Sequence, residues 1–258
     1  MCLINFHYHN HPNYKLIVAA NRDEFYERPT AMAHFWEDYP QLLAGRDLEK
    51  QGTWLGITKQ GRFAALTNYR SPVHMQRKEN SRGKIVSGYL TGHTSPKDYI
   101  EGINKNNNLY SGFNLLIGNP NQLIYYNNIE NSSYEVRPGT HGLSNHFLNT
   151  PWPKVVNGKN LLHHYVTTHE TLQPEVLFNL LANDDVAEDV NLPHTGIGLE
   201  LERQLSSLFI NTADYGTRCS TVLLVTKHDD VIFIERTFYE GKFVDDRQFK
   251  FRIQPPLD

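Results

Sequence analysis

A cysteine stands directly behind the initiator methionine. Once that methionine is removed, Cys2 opens the chain and one residue carries both a nucleophile and a base. A free thiol titrates near ~8.5 and an α-amino group near ~7.7–8.0, so at neutral pH the unprotonated amine can take the thiol proton as sulfur attacks an amide carbonyl. A second polar cluster, Asn21, Arg22, Asp23 and Glu24, ends the apolar run Leu16 to Ala20. If Cys2 heads the first strand of a hairpin and this cluster closes the second, the four side chains meet the N-terminus. Asp23 would then orient the α-ammonium, and Arg22 would stabilise a thiolate or a substrate carboxylate. The competing reading of the cluster is a solvated turn, with Arg22 and Glu24 in ordinary surface pairs of little energy.

The elements that must position these residues are legible as alternating apolar runs punctuated by turn residues. "CLINFHYH" and "YKLIVAAN" flank the turn-forming "NHPN", "GTWLGITKQGRFAALTNY" turns at "KQG", and "FNLLIGNPNQLIYYN" turns at "GNPN"; three hairpins predict a large antiparallel sheet system. Helices are expected over "SRGKIVSGYL", "SPKDYIEGINK", "WPKVVNGKNLLHHYVTT" and "PEVLFNLLAND", with another in "LERQLSSLF". Ser95 followed by Pro96 supplies a cap and a first-turn proline for the second of these. "STVLLVT" and "VIFIERTFY" close the chain as a strand pair. A helix–sheet–sheet–helix sandwich satisfies this order, and residues 1–258 read as one domain, a common outcome at this length.

Composition removes several function classes. There are 25 Lys and Arg against 28 Asp and Glu, without the basic excess that neutralises nucleic-acid phosphates. No apolar stretch is long enough to span a membrane, and the opening residues lack a basic leader followed by an apolar segment. Two cysteines, Cys2 and Cys219, make neither a disulfide framework nor a zinc pattern. A soluble, cytoplasmic chain without cofactor or metal is expected. His7, His9 and His11 share one face if the strand stays extended, but Pro12 follows and no carboxylate accompanies them, so they read as structural. Cys219 reads as a small packed residue. Trp54, between Gly52 and Gly56, signals close packing, and no glycine segment is a nucleotide fingerprint.

"MCLINF", "ANRDEFYERP", "LAGRDLEKQGTWLGI", "RFAALTNYR" and "SRGKIV" resemble successive signatures of the NRDE family, that of the Transport and Golgi organisation 2 proteins, and the likeness continues through "GLSNHFLNTPWPKV" and "TRCSTVLLV". The resemblance implies an N-terminal-nucleophile (Ntn) hydrolase-like αββα sandwich: two antiparallel sheets flanked by helices, in the α+β class. A more distant resemblance, to Ntn cysteine amidohydrolases of the penicillin V acylase and bile salt hydrolase type, implies roles. Cys2 matches their nucleophile and Asp23 the carboxylate near the amine. Asn68 and Asn145 match asparagines that bind the oxyanion or position the nucleophile, and Arg218 matches an arginine entering a late strand. Those enzymes carry an arginine three residues before the aspartate, where this chain has Ala20.

Two functions of different class are therefore carried forward. One is an amidohydrolase acting on a small linear or cyclic non-peptide amide, with Cys2, Asp23, Asn68, Asn145 and Arg218 in the site and Asn21, Arg22, Glu24 and Trp54 supporting it. The other, implied by the family, is a non-catalytic ligand carrier on the same fold, linked to secretory organisation and to lipid or haem mobilisation, with His7, His9 or Cys2 as conceivable haem ligands. Specificity is expected from the loops at 69–81, 106–112 and 184–198.

Overall fold

The first hairpin forms as its turn residues demand: β1 (Cys2–Tyr8) returns as β2 (Tyr14–Phe25), with Cys2 opposite Arg22 and Leu3 opposite Asn21. The computed structural model describes residues 2–74, 78 and 80–254. After β2 come β3 (Thr30–Phe35), β4 (Leu42–Asp47), β5 (Leu55–Thr58) and β6 (Phe63–Asn68). Then come α1 (Gly83–Thr91), α2 (Pro96–Asn104), β7 (Phe113–Asn119), β8 (Gln122–Asn127), β9 (Ser132–Glu135) and β10 (Gly139–Leu143). The chain continues through α3 (Pro153–Thr168), α4 (Pro174–Leu181), α5 (Leu199–Gln204), β11 (Tyr215–Thr226), β12 (Asp230–Tyr239) and β13 (Lys242–Arg252).

These strands make two antiparallel sheets. One is ordered β10-β1-β2-β11-β12-β13, and the other keeps chain order from β3 to β9. Strand alternation then sorts the side chains. Ile4, Phe6, Leu16, Val18 and Ala20 meet Leu43, Leu55, Ile57, Phe63 and Leu116 between the sheets. On the outer face of the first sheet, Ile17 and Ala19 pack under Leu162 and Val166 of α3 and Leu177 and Phe178 of α4. On the outer face of the second, Ala64, Leu66 and Leu115 pack under α1 and α2 through Ile85, Val86 and Ile100. The result is the expected four-layer αββα sandwich. Among the described residues no helix is long and apolar enough to cross a membrane.

The same parity continues into the polar residues at the end of the sheet. Cys2 and Arg22 continue the Ile4 and Ala20 face toward the space between the sheets, whereas Asn21 and Asp23 continue the Ala19 face toward the helical layer.

Three elements differ from the sequence expectation. The strand pair β11 and β12 does not close the chain, because a turn with positive φ at Glu240 and Gly241 leads into β13. Most β13 residues are exposed, so this edge strand lacks the apolar signal by which a strand is recognised. β3 and β4 lie in a segment read only for its motifs, and α5 ends at Gln204 rather than continuing to Phe209.

Candidate functional site

A cleft of about 310 Å³ opens at the end of the sandwich where β1, β2, β11 and β12 face β3, β4 and β6. Cys2, Arg22, Asp23, Glu24, Trp54, Asn68 and Arg218 all line it, as do Cys219 and Glu235. Arg22 is the register partner of Cys2 on one side and of Cys219 on the other, so the two thiols flank one guanidinium across three adjacent strands.

Cys2 is 7% exposed. Burial raises its thiol pKa, and the Asp23 charge adds to this while the Arg22 guanidinium opposes it. The resting thiol is therefore protonated at neutral pH, the form that a neighbouring amine would activate during attack. Asp23 sits on the helix side of the same strand end. Its Oδ1 accepts from Thr217 Oγ1 at 2.8 Å and its carbonyl from Tyr215 Oη at 2.9 Å. Burial raises the Asp23 pKa, opposed by nearby positive charge that includes Lys154.

The remaining expected residues divide by position. Asn68 ends β6 on the cleft wall. Asn145 is fully buried away from the cleft wall: its Nδ2 donates to Asn68 O at 3.0 Å, and its Oδ1 accepts from Ser144 Oγ at 3.1 Å and from Arg70 Nη2 at 3.4 Å. Asn21 likewise points away, donating to Leu181 O and Leu208 O at 2.9 Å each and accepting from Ser220 Oγ at 2.6 Å. It fixes the end of α4 to the sheet. Glu24 Oε2 lies 3.8 Å from Arg22 and 3.9 Å from Arg28. Arg218, at the irregularity where β11 shifts register against β2, gives Nη1 to the carbonyls of Phe25, Tyr26 and Arg28.

Glycine packing brings α1 to the cleft. A Cβ on Gly52 would lie 2.5 Å from the Gly83 carbonyl carbon, closer than real contacts, and Thr53 N donates to Gly83 O at 3.2 Å. Ser81, Arg82 and Gly83 thereby join the wall opposite Cys2. Of the three expected specificity loops, 69–81 contributes Lys78, Asn80 and Ser81, 106–112 contributes Ser111, and 184–198 contributes none among the described residues. Residues 75–77 and 79, and Met1 with its expected removal, lie outside the described residues.

The rings of His7 and His11 lie edge-on with centroids 6.5 Å apart, but the three histidines do not extend along one strand. β1 ends at Tyr8, and His9 turns the chain at φ 48°. His7 Nδ1 meets Thr140 Oγ1 and His11 Nε2 meets His169 O. None of the three lines the cleft. Among the described residues no group of three or more His, Cys, Asp or Glu could hold a metal ion.

Several residues at the site escaped sequence reasoning. Ser144 Oγ reaches Cys2 O at 3.1 Å. Glu235, buried across the cleft, accepts Ala33 N at 2.6 Å and is raised in pKa by burial. Lys154 is 2% exposed in the first turn of α3, and its Nζ has no hydrogen-bond partner among the described residues. Burial pushes its pKa down to about 8, and the Arg70 charge pushes the same way against Asp23, Cys2 and Glu202. A lysine beside a helix N-terminus opposes the helix dipole. That local conflict was the one signal in the sequence.

Two stacked antiparallel sheets between helical layers, with the first strand's leading residue turned into a cleft at their end, give this chain the fold of the Ntn hydrolases. Its structure is similar to the C2A mutant of conjugated bile acid hydrolase from Clostridium perfringens, at TM-score 0.52 and 8% identity, covering 100% of this chain and 99% of that one. It is also similar to a Caenorhabditis elegans N-acylethanolamine-hydrolyzing acid amidase ortholog, at TM-score 0.52 and 9% identity over 86% of this chain and 92% of that one. At the level of sequence, a family profile described as Transport and Golgi organisation 2 matches residues 1–240. The Transport and Golgi organization protein 2 homolog of Homo sapiens is 35% identical over 276 residues, 98% of this chain and 100% of that protein. The Drosophila melanogaster Transport and Golgi organization protein 2 is 32% identical over 92% of each. The chain belongs to the Transport and Golgi organisation 2 family.

Proposed function

We propose that this protein is an Ntn-type amidohydrolase acting on a small non-peptide amide. The observation that carries the reading is the placement of Cys2: a buried thiol on a cleft wall, in register with Arg22 and next to Asp23. With Met1 removed, the Cys2 amine accepts the thiol proton as Sγ bonds to the substrate carbonyl carbon. The carbonyl oxygen takes the negative charge, for which Asn68 is the expected asparagine that lines the cleft. Removing such a donor typically costs about 10²–10³ in rate. As the C–N bond breaks, the amine passes the proton to the leaving nitrogen, and water then cleaves the thioester. Asp23 orients the amine, and Asn145 acts through Asn68, whose carbonyl it holds. Arg218 holds the Phe25–Arg28 turn that bounds the cleft. The two solved structures, named for hydrolysis of a bile acid conjugate and of N-acylethanolamines, support an amide as substrate.

The test begins with the intact mass of purified protein, expected to lack one methionine, and continues with a screen of acylated amines and lactams against wild type and Cys2→Ala. Hydrolysis should be lost in Cys2→Ala. Met1 retained in essentially all molecules would overturn the reading.

The names of the relatives, which speak of transport and Golgi organisation, favour a second reading, a non-catalytic carrier linked to secretory organisation; we propose a lipid-like ligand or haem as its cargo. It predicts ligand retention without turnover and equal retention by Cys2→Ala. His7 and His9 lie off the cleft, so of the three expected haem-binding residues only Cys2 could hold such a group there, through its thiol.

A further inference from the structure

We propose that the cleft is an anion site and that the amide it takes carries an acidic group, held by Arg82 and Arg218 beside Cys2. The amide rests on the function proposed above; the anion site stands on the charges of the wall alone.

Several cations at the cleft are already neutralised. Arg28 holds Asp47 at 2.7 Å and Glu49 at 3.2 Å, Lys50 lies 3.7 Å from Glu49, and Arg46 holds Asp38 at 2.7 Å. Arg82 and Arg218 are in no ion pair among the described residues, and Arg22 is in a loose one. Arg82 Nη1 donates to Gly112 O at 3.0 Å. Arg218 Nη1 serves three carbonyls, and its buried Nε has no hydrogen-bond partner among the described residues. Arg22, 7% exposed, finds Thr30 Oγ1 only at 3.5 Å and its nearest carboxylate, Glu24, at 3.8 Å. A carbonyl satisfies an N–H but leaves the charge in place, so the wall keeps net positive charge in a recess where water screens it poorly.

The carboxylates do not cancel it. Glu24 is shared between Arg22 and Arg28, and even with Asp23, Asp47, Glu49 and Glu235 ionised as well, five carboxylates on the wall stand against seven Lys and Arg side chains. The field is strengthened by α1, whose first turn carries no acidic residue and whose leading residues Ser81, Arg82 and Gly83 line the cleft; the partial positive charge of its N-terminus adds to the guanidiniums. An oxyanion of carboxylate or phosphoryl type suits planar guanidinium forks. Arg82 and Cys2 line the same cleft, so an acidic group held at the guanidinium leaves the amide in the recess that the thiol faces.

The test compares alkylation of Cys2 by iodoacetate, which is anionic, with alkylation by iodoacetamide, which is neutral and nearly the same shape. The rate for each is read from the peptide carrying Cys2, apart from Cys219. Because the ratio of the two rates cancels changes in thiol reactivity, it reports the field at the sulfur. Arg82→Met/Arg218→Met should lower the iodoacetate-to-iodoacetamide ratio by about tenfold, and salt raised from about 20 mM to about 0.5 M should lower it in the wild type. Arg218 also ties down the Phe25–Arg28 turn, so Arg82→Met alone and competition on the unaltered protein keep the test decisive if the double variant does not fold. Protection by acetate above inorganic phosphate identifies a carboxylate ligand, the reverse order a phosphoryl one, and either supports the site. A ratio unmoved by Arg82→Met and by salt, with no protection by either anion, overturns it. Retained Met1 would remove the hydrolase while leaving this ratio, and the anion site, intact.

Discussion

The site is an arrangement of buried charges whose cost shows most clearly at Lys154. Its ammonium lies under Cys2 and Asp23 with Arg70 nearby, and burial brings its pKa down to about 8. The unfolded chain keeps this lysine protonated up to about 10.4. Between those two values the unfolded state binds more protons than the folded state, so stability rises with pH across that window. Below it the buried charge costs the fold roughly 3 kcal/mol. Lys154→Met is accordingly expected to be more stable than wild type at pH 7 by urea unfolding, with the gap closing toward pH 10. A gap that stays constant with pH would show that the lysine binds its proton equally in both states and is solvated in the fold. The residues that sequence reasoning found, Cys2 and Arg22 to Glu24, are those whose chemistry is announced by adjacency and chain position. Lys154, Glu235 and Ser144 come to the site only through long-range packing, and nothing within a few residues of them reveals it.

Elements hold the site through a few close contacts. The Gly52–Gly83 approach sets α1 against the cleft, and Asn21 ties β2 to the end of α4. Behind the cleft, Arg70, two residues past the end of β6, pairs with Glu202 of α5 at 2.8 Å, with side chains 2% and 4% exposed. Burial pulls the Arg70 pKa down, and the Glu202 carboxylate opposes this. Glu202 also accepts from Thr195 N and Oγ1, so one carboxylate fixes both a helix and the preceding loop. Glu202→Ala takes the carboxylate away from a buried guanidinium, and a loss of about 3–5 kcal/mol is expected, read as a lower urea midpoint. Glu202→Gln keeps the shape and should lose less. A midpoint unchanged in Glu202→Ala would mean that water reaches Arg70. α5 was half legible because its apolar residues Leu199 and Leu201 are exposed and break the helical pattern. The hairpins were legible because each alternates over a turn with strong residue preferences. β13 was not, since a mostly exposed edge strand carries no such alternation.

At the scale of the molecule, both sheets contribute to one cleft, and this ties ligand binding to the whole fold. Cys2, Arg22 and Cys219 come from the first sheet, Thr30, Trp54 and Asn68 from the second sheet and its connections. A ligand bound across them favours the folded state only, so at about 100 times its Kd it should stabilise by about 2.7 kcal/mol, roughly 5–11 °C in Tm for a chain of this size. The hydrolase and the carrier share that initial shift and diverge with time. A hydrolase loses the shift as wild type consumes the ligand, whereas Cys2→Ala keeps it. A carrier keeps the shift in both proteins indefinitely. Melting curves on wild type and Cys2→Ala, taken at once and after hours with the same ligand, therefore separate them. A persistent shift in wild type with unchanged ligand mass would leave the Cys2 thiol a wall residue of a binding cleft.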